Sequence, residues 1–170
     1  MSKLTRSQWA EFQNTMAEMD DDSSPREILN VILGWLRKNS EIFSDEPFSI
    51  FGINRFLELR EENCPVESSP MHGVEFANFR KIIKKYGCDD IENIARYLRD
   101  TLETLVVMEA DRQCPRCERW GMGIYTNSED GRMAFECRQC GYGVYTDGSR
   151  VGANELTFAS TEGLRGIDLL

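Results

Sequence analysis

The chain has 170 residues, of which 41% are hydrophobic and 29% charged, and this composition excludes wholesale disorder. Its longest apolar stretch, residues 28–36, is far shorter than the roughly 20 residues that cross a bilayer, so we expect no membrane partner. The formal net charge of −9 disfavours duplex nucleic acid and favours a basic protein as the partner. Because residues 1–12 lack the apolar segment of a secretory signal, a cytoplasmic location is expected.

Two helices are predicted before residue 40. The first spans about Gln8–Met19, with its apolar residues on one stripe and with Thr5 and Gln8 at the positions of a capping box. The second begins after Ser24, because that serine is followed by a proline at the first helical position and, three residues on, by a glutamate. The apolar residues that follow predict a largely buried helix.

Three more helices are predicted between residues 47 and 112. The third spans about Pro47–Glu62, the fourth Val74–Tyr86, and the fifth starts after Asp89 and continues to about Arg112. In the fifth, apolar residues repeat at spacings of four and three, which is typical of a buried helix face. About five helices with no strand between them predict an all-α domain over residues 1–112.

Four of the six cysteines have the most specific spacing in the chain. Cys114 and Cys117 form one C-x2-C pair, Cys137 and Cys140 form a second, and 19 residues separate the pairs. This spacing is typical of a four-cysteine zinc site, in which two sharp turns direct four thiolates at one ion. Zinc held by four thiolates has no open position for water, so the predicted ion is structural.

The residues around these cysteines have the pattern of a small sheet. Residues 122–126 and 132–137 alternate on either side of a turn, and residues 142–146 follow as a third strand. With its two C-x2-C turns, the segment over residues 113–146 resembles the zinc-ribbon superfamily. The resemblance implies a three-stranded sheet and frequent contacts with nucleic acid or transcription machinery. Glu118 departs from the family pattern, since the first turn often has a glycine there.

Two other interpretations of the cysteines stay open, a redox-active pair and a pair of disulfides. A cytoplasmic location disfavours stable disulfides, so structural zinc is favoured. The predicted fold class is therefore α+β, an all-α domain of about five helices followed by a three-stranded zinc ribbon. Residues 147–170 form a tail, in which Leu156–Ala159 has the pattern of one added strand.

No catalytic constellation is recognisable in the sequence. His72 is the only histidine, and it lies in a loop composition eight residues after Cys64. A cysteine–histidine nucleophile pair is conceivable, but no third group is suggested, so an incidental loop histidine is favoured. Cys64 and Cys88 have the character of small buried apolar residues. We therefore expect a binding protein and no enzyme.

The acidic surplus leads to the main functional hypothesis. Residues 1–112 contain 14 basic and 21 acidic residues, for a net charge of −7. Carboxylates can occupy the phosphate-binding groove of a nuclease, so the favoured function is an immunity or antitoxin-type inhibitor that blocks a basic toxin. The candidate partner-binding residues are Asp20, Asp21, Asp22, Glu58, Glu61, Glu62 and Glu67.

The alternative hypothesis is a zinc-ribbon adaptor that binds nucleic acid or transcription machinery. A basic stripe on the predicted fourth helix and one arginine in the first cysteine turn are its candidate contacts: Arg80, Lys81, Lys84, Lys85 and Arg116. Four aromatic residues of the ribbon have the chemistry to stack on bases, namely Trp120, Tyr125, Tyr142 and Tyr145. The favoured interpretation is that these aromatics cover a sheet too small for its own core.

Overall fold

Helices come first along the chain and strands follow, which is an α+β architecture; the computed structural model describes residues 3–170. The helices are α1 (Arg6–Glu18), α2 (Pro25–Lys38), α3 (Ser40–Phe43), α4 (Asn54–Leu57), α5 (Gly73–Ile83), α6 (Ile91–Val106) and α7 (Thr161–Arg165), with short 3-10 helices at Glu61–Asn63 and Val66–Ser68. The strands are β1 (Glu109–Gln113), β2 (Trp120–Asn127), β3 (Met133–Glu136), β4 (Gly143–Tyr145) and β5 (Leu156–Phe158). Within residues 3–170, no helix has the length and hydropathy needed to cross a membrane.

The chain divides into two units. The first, called the helical unit below, consists of Met1–Glu61 and Ser69–Leu105. The second, called the sheet unit, consists of Glu62–Ser68 and Val106–Leu170. The helical unit has 13 basic and 17 acidic residues and the sheet unit 7 and 12, so both carry a net negative charge.

Reciprocal side-chain caps set the starts of α1 and α2. The Thr5 hydroxyl accepts from the Gln8 amide at 3.3 Å, and the Gln8 side chain accepts from the Thr5 amide at 3.0 Å. Ser24 and Glu27 form the same pair at 3.3 Å and 2.7 Å, with a proline at the first helical position. Both predicted capping motifs are confirmed, because each satisfies amide groups that a helix start leaves without intrahelical partners.

The core of the helical unit is a chain of aromatic contacts. Trp35 on α2 lies 4.4 Å from Phe12 on α1 and 5.0 Å from Phe43 on α3, measured between ring centroids. Phe12 continues the chain to Phe79 on α5 at 6.5 Å, and Phe43 continues it to Phe48 at 4.7 Å. Aromatic pairs at these distances add to the free energy gained from burial, so this unit has a core of its own.

The helix predicted over Pro47–Glu62 is wrong, since only Asn54–Leu57 is α-helical there and the rest consists of turns and the start of a 3-10 helix. Gly52 has a φ of 74°, a left-handed conformation that interrupts any helix through this segment. Phe48, Ile53 and Phe56 are nevertheless buried, at 2%, 0% and 2% exposure. The spacing of these apolar residues therefore reflects their burial, and it does not indicate a helix.

The predicted ends of two helices also need correction. The fourth predicted helix corresponds to α5, which ends at Ile83 and not at Tyr86. The fifth corresponds to α6, which ends at Val106, and the residues expected to extend it to Arg112 belong instead to β1. The added strand predicted over Leu156–Ala159 is confirmed as β5, and with β1 the sheet has five strands among the described residues, against three predicted for the ribbon.

The long strand β2 is the centre of the antiparallel sheet. It pairs with β3 along one edge, and β4 follows on the far side of β3. Its other edge is shared, since β1 pairs with residues 120–123 and β5 with residues 125–127. A small apolar cluster of Ile124, Ala159 and Leu164 packs α7 and the end of β5 against the sheet.

Candidate metal centre

The two C-x2-C turns fold with the same backbone hydrogen bonds. In the first turn, the Cys114 amide donates to the Arg119 carbonyl at 2.8 Å, and the Glu118 amide donates to the Cys114 carbonyl at 2.9 Å. In the second turn, the Cys137 amide donates to Tyr142 at 2.9 Å, and the Gly141 amide donates to Cys137 at 2.8 Å. The two segments thus form equivalent knuckles at the start of β2 and between β3 and β4.

The four sulfur atoms of these knuckles meet at one point. All four Sγ atoms lie within 4.8 Å of one another, and Cys114–Cys140 and Cys117–Cys137 are each 3.6 Å apart. A tetrahedral ion with metal–sulfur bonds of about 2.3 Å requires sulfur–sulfur distances of about 3.8 Å. The cluster therefore has the donor set and the dimensions for one tetrahedral metal ion.

The disulfide interpretation does not agree with these distances. All six cysteines are free, and the sulfurs of Cys114 and Cys140 and those of Cys117 and Cys137 are 3.6 Å apart. A disulfide bond is about 2.05 Å long. The four thiols meet as one group contributed equally by the two knuckles, which is the arrangement expected of a metal site.

The surroundings of the cysteines are apolar and supply amide donors. Cys114 and Cys137 are buried in a cluster with Met122 and Val144, at 0–4% exposure. Burial acts to raise the pKa of the Cys114 thiol, but the amides of Cys117 and Arg116 outweigh it and lower the pKa to about 6. Amide groups directed at sulfur in this way stabilise a coordinating thiolate.

Repulsion among the sulfurs opposes ionisation of all four together. The Arg119 amide acts to lower the pKa of Cys117, but burial and the neighbouring sulfurs of Cys137 and Cys114 raise it to about 11. A divalent cation at the centre would neutralise this repulsion, because a coordinating thiol is deprotonated outright.

Glu118 takes a backbone conformation that usually requires glycine. Its φ is 62°, and Gly141 at the equivalent position of the second knuckle has a φ of 69°. The left-handed conformation is needed there because the amide after each second cysteine turns back to the first cysteine of its knuckle. The first knuckle therefore has the same turn as the second, and the glutamate at position 118 adds local backbone strain.

Two of the seven predicted acidic residues form ion pairs with arginine side chains. Asp21 forms an ion pair with Arg80, and Glu61 is held by the guanidinium of Arg37 at 3.1 Å. The hydrogen bonds from Arg37 lower the pKa of the Glu61 carboxyl. The remaining predicted carboxylates are exposed: Asp20, Asp22, Glu58, Glu62 and Glu67. Glu62 and Glu67 lie in the sheet unit and the others in the helical unit.

One of the four residues of the predicted basic stripe, Arg80, is mostly buried and forms an ion pair. Arg80 donates to the Met19 carbonyl at 2.8 Å, pairs with Asp21 and covers the Phe76 ring, and its side chain is only 15% exposed. It is therefore used to join α5 to the end of α1. Lys81, Lys84 and Lys85 remain exposed, as does Arg116 in the first knuckle.

Of the four aromatic residues considered for base stacking, only Trp120 presents its ring to solvent, with 66% exposure. Tyr125 and Tyr145 are each 3% exposed, and Arg150 covers the ring of Tyr142 at 4.2 Å. Trp120 follows directly after the first knuckle, next to the exposed residue Arg119. The sequence pattern could not separate the one exposed aromatic from the three covered ones.

The sheet unit contains a polar network that the sequence pattern did not predict. The Tyr145 hydroxyl donates to Glu155 Oε2 at 2.7 Å and accepts from Asn127 Nδ2 at 2.8 Å, while Arg132 lies 4.1 Å above the ring. The hydrogen bond to Glu155 raises the pKa of Tyr145, and the same bond lowers the pKa of Glu155. The network fastens the tail to β2 and β4, so it has a structural explanation.

The cysteines and the histidine considered for nucleophilic catalysis differ in their exposure to solvent. His72 is exposed at the start of α5, and its side chain caps no amide of that helix. Cys64 is 3% exposed, as expected of a buried apolar residue, whereas Cys88 is half-buried.

Comparisons with protein families, with curated proteins and with solved structures find no match to this chain. We therefore infer function from the chemistry of the residues described above.

Proposed function

We propose that the chain is a non-enzymatic binding protein that contains one structural zinc ion and uses acidic residues to bind a basic protein. The observation that carries the zinc assignment is the cluster of four sulfurs within 4.8 Å of one another. Soft thiolates in a tetrahedral arrangement are the donors preferred by zinc, and iron is the other metal that such a set accepts. Cys114, Cys117, Cys137 and Cys140 would hold the ion and leave it no open position.

The zinc proposal is tested by metal analysis of two matched variants. We expect one zinc per chain in the wild type, loss of the zinc in Cys137→Ser, and retention in Cys88→Ser, since Cys88 belongs to the helical unit. Elemental analysis of protein expressed with ample zinc and iron measures both metals. Iron in place of zinc, or full zinc in Cys137→Ser, would contradict the assignment.

The acidic surface supports a basic protein as the partner. Both units carry more acidic than basic residues, and four coordinating thiolates around a divalent ion would add a further negative charge. Asp20, Asp22 and Glu58 are exposed, so their carboxylates are accessible from solvent. Such a surface speeds association with a positively charged protein and competes with nucleic acid for it. An immunity or antitoxin-type inhibitor of a basic nuclease is the function that fits best.

The partner proposal is tested by capture from the native lysate with three baits. The wild type is compared with a variant carrying Asp20→Lys, Asp22→Lys and Glu58→Lys, and with a control carrying Glu129→Lys, Glu162→Lys and Asp168→Lys. Both variants change the net charge equally, but the control reverses exposed carboxylates of the sheet unit only. We expect the wild type and the control to capture a basic protein that salt elutes, and the first variant to lose it. Equal capture by all three baits would contradict the proposal that these acidic residues bind the partner.

A zinc-ribbon adaptor that binds single-stranded nucleic acid is the second candidate, and one observation favours it. Trp120 is 66% exposed beside Arg119, and Arg116 is exposed in the same knuckle. An exposed aromatic ring with neighbouring arginines is a stacking platform for bases. Under this alternative, Trp120→Ala, Arg116→Glu and Lys84→Glu each weaken binding of an oligonucleotide at physiological salt in a fluorescence anisotropy titration. Such binding would argue against the inhibitor proposal.

A further inference from the structure

A cavity of about 400 Å³ lies within the helical unit, where the chain enters α1, leaves α3 and enters α6. It is distinct from the metal centre, which belongs to the sheet unit. We call it the acidic pocket, and its lining residues are Lys3, Leu4, Glu46, Pro47, Phe48, Cys88, Asp89, Ile91 and Glu92.

The floor of the acidic pocket is apolar and fixed. Leu4 is 6% exposed and Phe48 is 2% exposed, and Phe48 packs edge-on against Phe43 at 4.7 Å between ring centroids. Phe43 is itself fully buried, so the floor is continuous with the aromatic core of the helical unit. Pro47 and Ile91 complete the apolar part of the wall and are half-buried. This surface suits the methylene groups of a ligand.

The rim of the acidic pocket carries a surplus of negative charge. Glu46, Asp89 and Glu92 are exposed carboxylates of the lining, against a single cation, Lys3. Asp90 does not add to this rim, since its carboxylate accepts the Gly87 amide at 2.8 Å. An apolar floor below a carboxylate rim matches a ligand with an apolar stem and a cationic head.

We propose that the acidic pocket binds one arginine side chain of a basic partner protein, an inference that rests on the proposed function. The stem of arginine is apolar enough to lie on Phe48 and Leu4, and its guanidinium group would reach the carboxylates of the rim. Arginine fits better than lysine because a guanidinium group is less strongly hydrated and can donate to several carboxylates at once. Arginine side chains in pockets are also common anchors of protein interfaces.

The pocket is tested with butylguanidinium and butylurea, which have the same shape but differ in charge. Cys88 lines the pocket and is half-buried, so alkylation of its thiol by iodoacetamide reports occupancy when it is quantified by peptide mass mapping. At about four times its dissociation constant, butylguanidinium should slow alkylation of Cys88 about fivefold, because about four-fifths of the pockets are then occupied. Butylurea should leave the rate unchanged at the same concentration and ionic strength. Equal protection by both probes, or by neither, overturns the proposal.

A pair of matched variants tests the role of the rim. Asp89→Asn with Glu92→Gln removes two carboxylates of the pocket, and the control Glu18→Gln with Glu75→Gln removes two exposed carboxylates elsewhere in the helical unit. We expect protection by butylguanidinium to disappear in the first variant and to persist in the control, with far-UV circular dichroism verifying that both are folded. Protection that persists in a folded rim variant overturns the proposal.

The same variants separate failure of the pocket from failure of the proposed function. If the rim variant captures the basic partner as well as the wild type does, the pocket is not the anchor, although the function stands. If butylguanidinium protects Cys88 but no bait captures a basic protein, the partner is wrong, and the assignment of an arginine of that partner falls with it. Loss of both probe protection and capture in the rim variant alone supports the proposal.

Discussion

At the scale of the residue, the backbone hydrogen bonds of the first knuckle hold Glu118 in a strained conformation. Glu118 has a φ of 62°, where a side chain costs roughly 1–2 kcal/mol relative to glycine. The second knuckle avoids this cost with Gly141.

Glu118→Gly should therefore stabilise the metal-bound sheet unit by about 1 kcal/mol, because glycine adopts this conformation without strain. The measurement is a urea titration of the zinc-loaded protein, followed by the hydrogen-exchange protection of the amides in β2, β3 and β4. The control is Gln139→Gly, at a position of the second knuckle without positive φ, where glycine should be neutral or destabilising. Equal effects of the two substitutions would show that the strain is not specific to Glu118.

A second effect at the residue scale concerns pH. The Arg37 hydrogen bonds lower the pKa of Glu61 below its ordinary value of 4.5, so this contact stabilises the folded state fully above that value. As the pH falls through the lowered pKa, Glu61 becomes protonated and the stabilisation is lost.

In Glu61→Gln, the urea midpoint should therefore decrease less steeply than in the wild type as the pH falls below about 4.5. Far-UV circular dichroism at each pH measures the midpoint, and Glu18→Gln is the control, since Glu18 is exposed at the end of α1. If Glu61→Gln and the wild type have parallel pH profiles, the ion pair does not contribute to stability.

At the scale of the element, the capping motifs of α1 and α2 were predictable because each is determined by neighbouring residues, although α1 begins at Arg6, two residues before the predicted start. For α2 the determinant is the reciprocal hydrogen bonding of Ser24 with Glu27. Local chemistry of this kind is complete within four residues, so no tertiary contact is needed to identify it.

Ser24→Ala should destabilise the helical unit by about 1 kcal/mol, because the amide of Glu27 loses its acceptor. The expected readout is a lower urea midpoint with an unchanged slope. Ser44→Ala, at the exposed C-cap serine of α3, is the control and should change stability by less than about 0.5 kcal/mol. Similar losses in both variants would mean that the cap is not the cause.

The elements that sequence reasoning misassigned depend on distant partners. Residues 47–62 have apolar residues at helical spacings, yet Gly52 breaks the path and the burial of Phe48 comes from its contact with Phe43. Residues 109–113 have no apolar alternation of their own, and they become a strand because β2 offers a free edge. Neither outcome is determined by local periodicity, which is why one helix was predicted too long and one was predicted where turns lie.

At the scale of the whole molecule, the cysteine spacing was informative because chelation geometry is encoded in short distances along the chain. Two residues between cysteines suffice to form each knuckle, and the hydrogen bonds of the two knuckles repeat each other. No short sequence pattern of this kind indicates which surface binds a partner. The pairing of Asp21 with Arg80 and of Glu61 with Arg37 shows that a list of acidic residues overstates the free charge.

Removal of the metal by a strong chelator should affect the two units differently. The helical unit has an aromatic core, so we expect most of the helical circular dichroism to remain. The sheet unit has only small apolar clusters, so amides of β2, β3 and β4 should lose hydrogen-exchange protection. Hydrogen exchange detected by mass spectrometry resolves the two regions, and added zinc should restore protection. Loss of all helical signal on chelation would instead indicate one cooperative unit.

The shared edge of β2 has a consequence for how the chain is connected. Met108 accepts the Ile124 amide at 2.9 Å, and Phe158 lies opposite Tyr125, the next residue of β2. The chain thus enters and leaves the sheet at neighbouring positions. Some fifty residues lie between these positions along the sequence, so the two ends of that segment are close together in space. A segment with adjoining ends can be spliced into a surface loop of another protein without spreading that loop apart. Residues 109–158 contain both knuckles and have the adjoining ends that such an insertion requires.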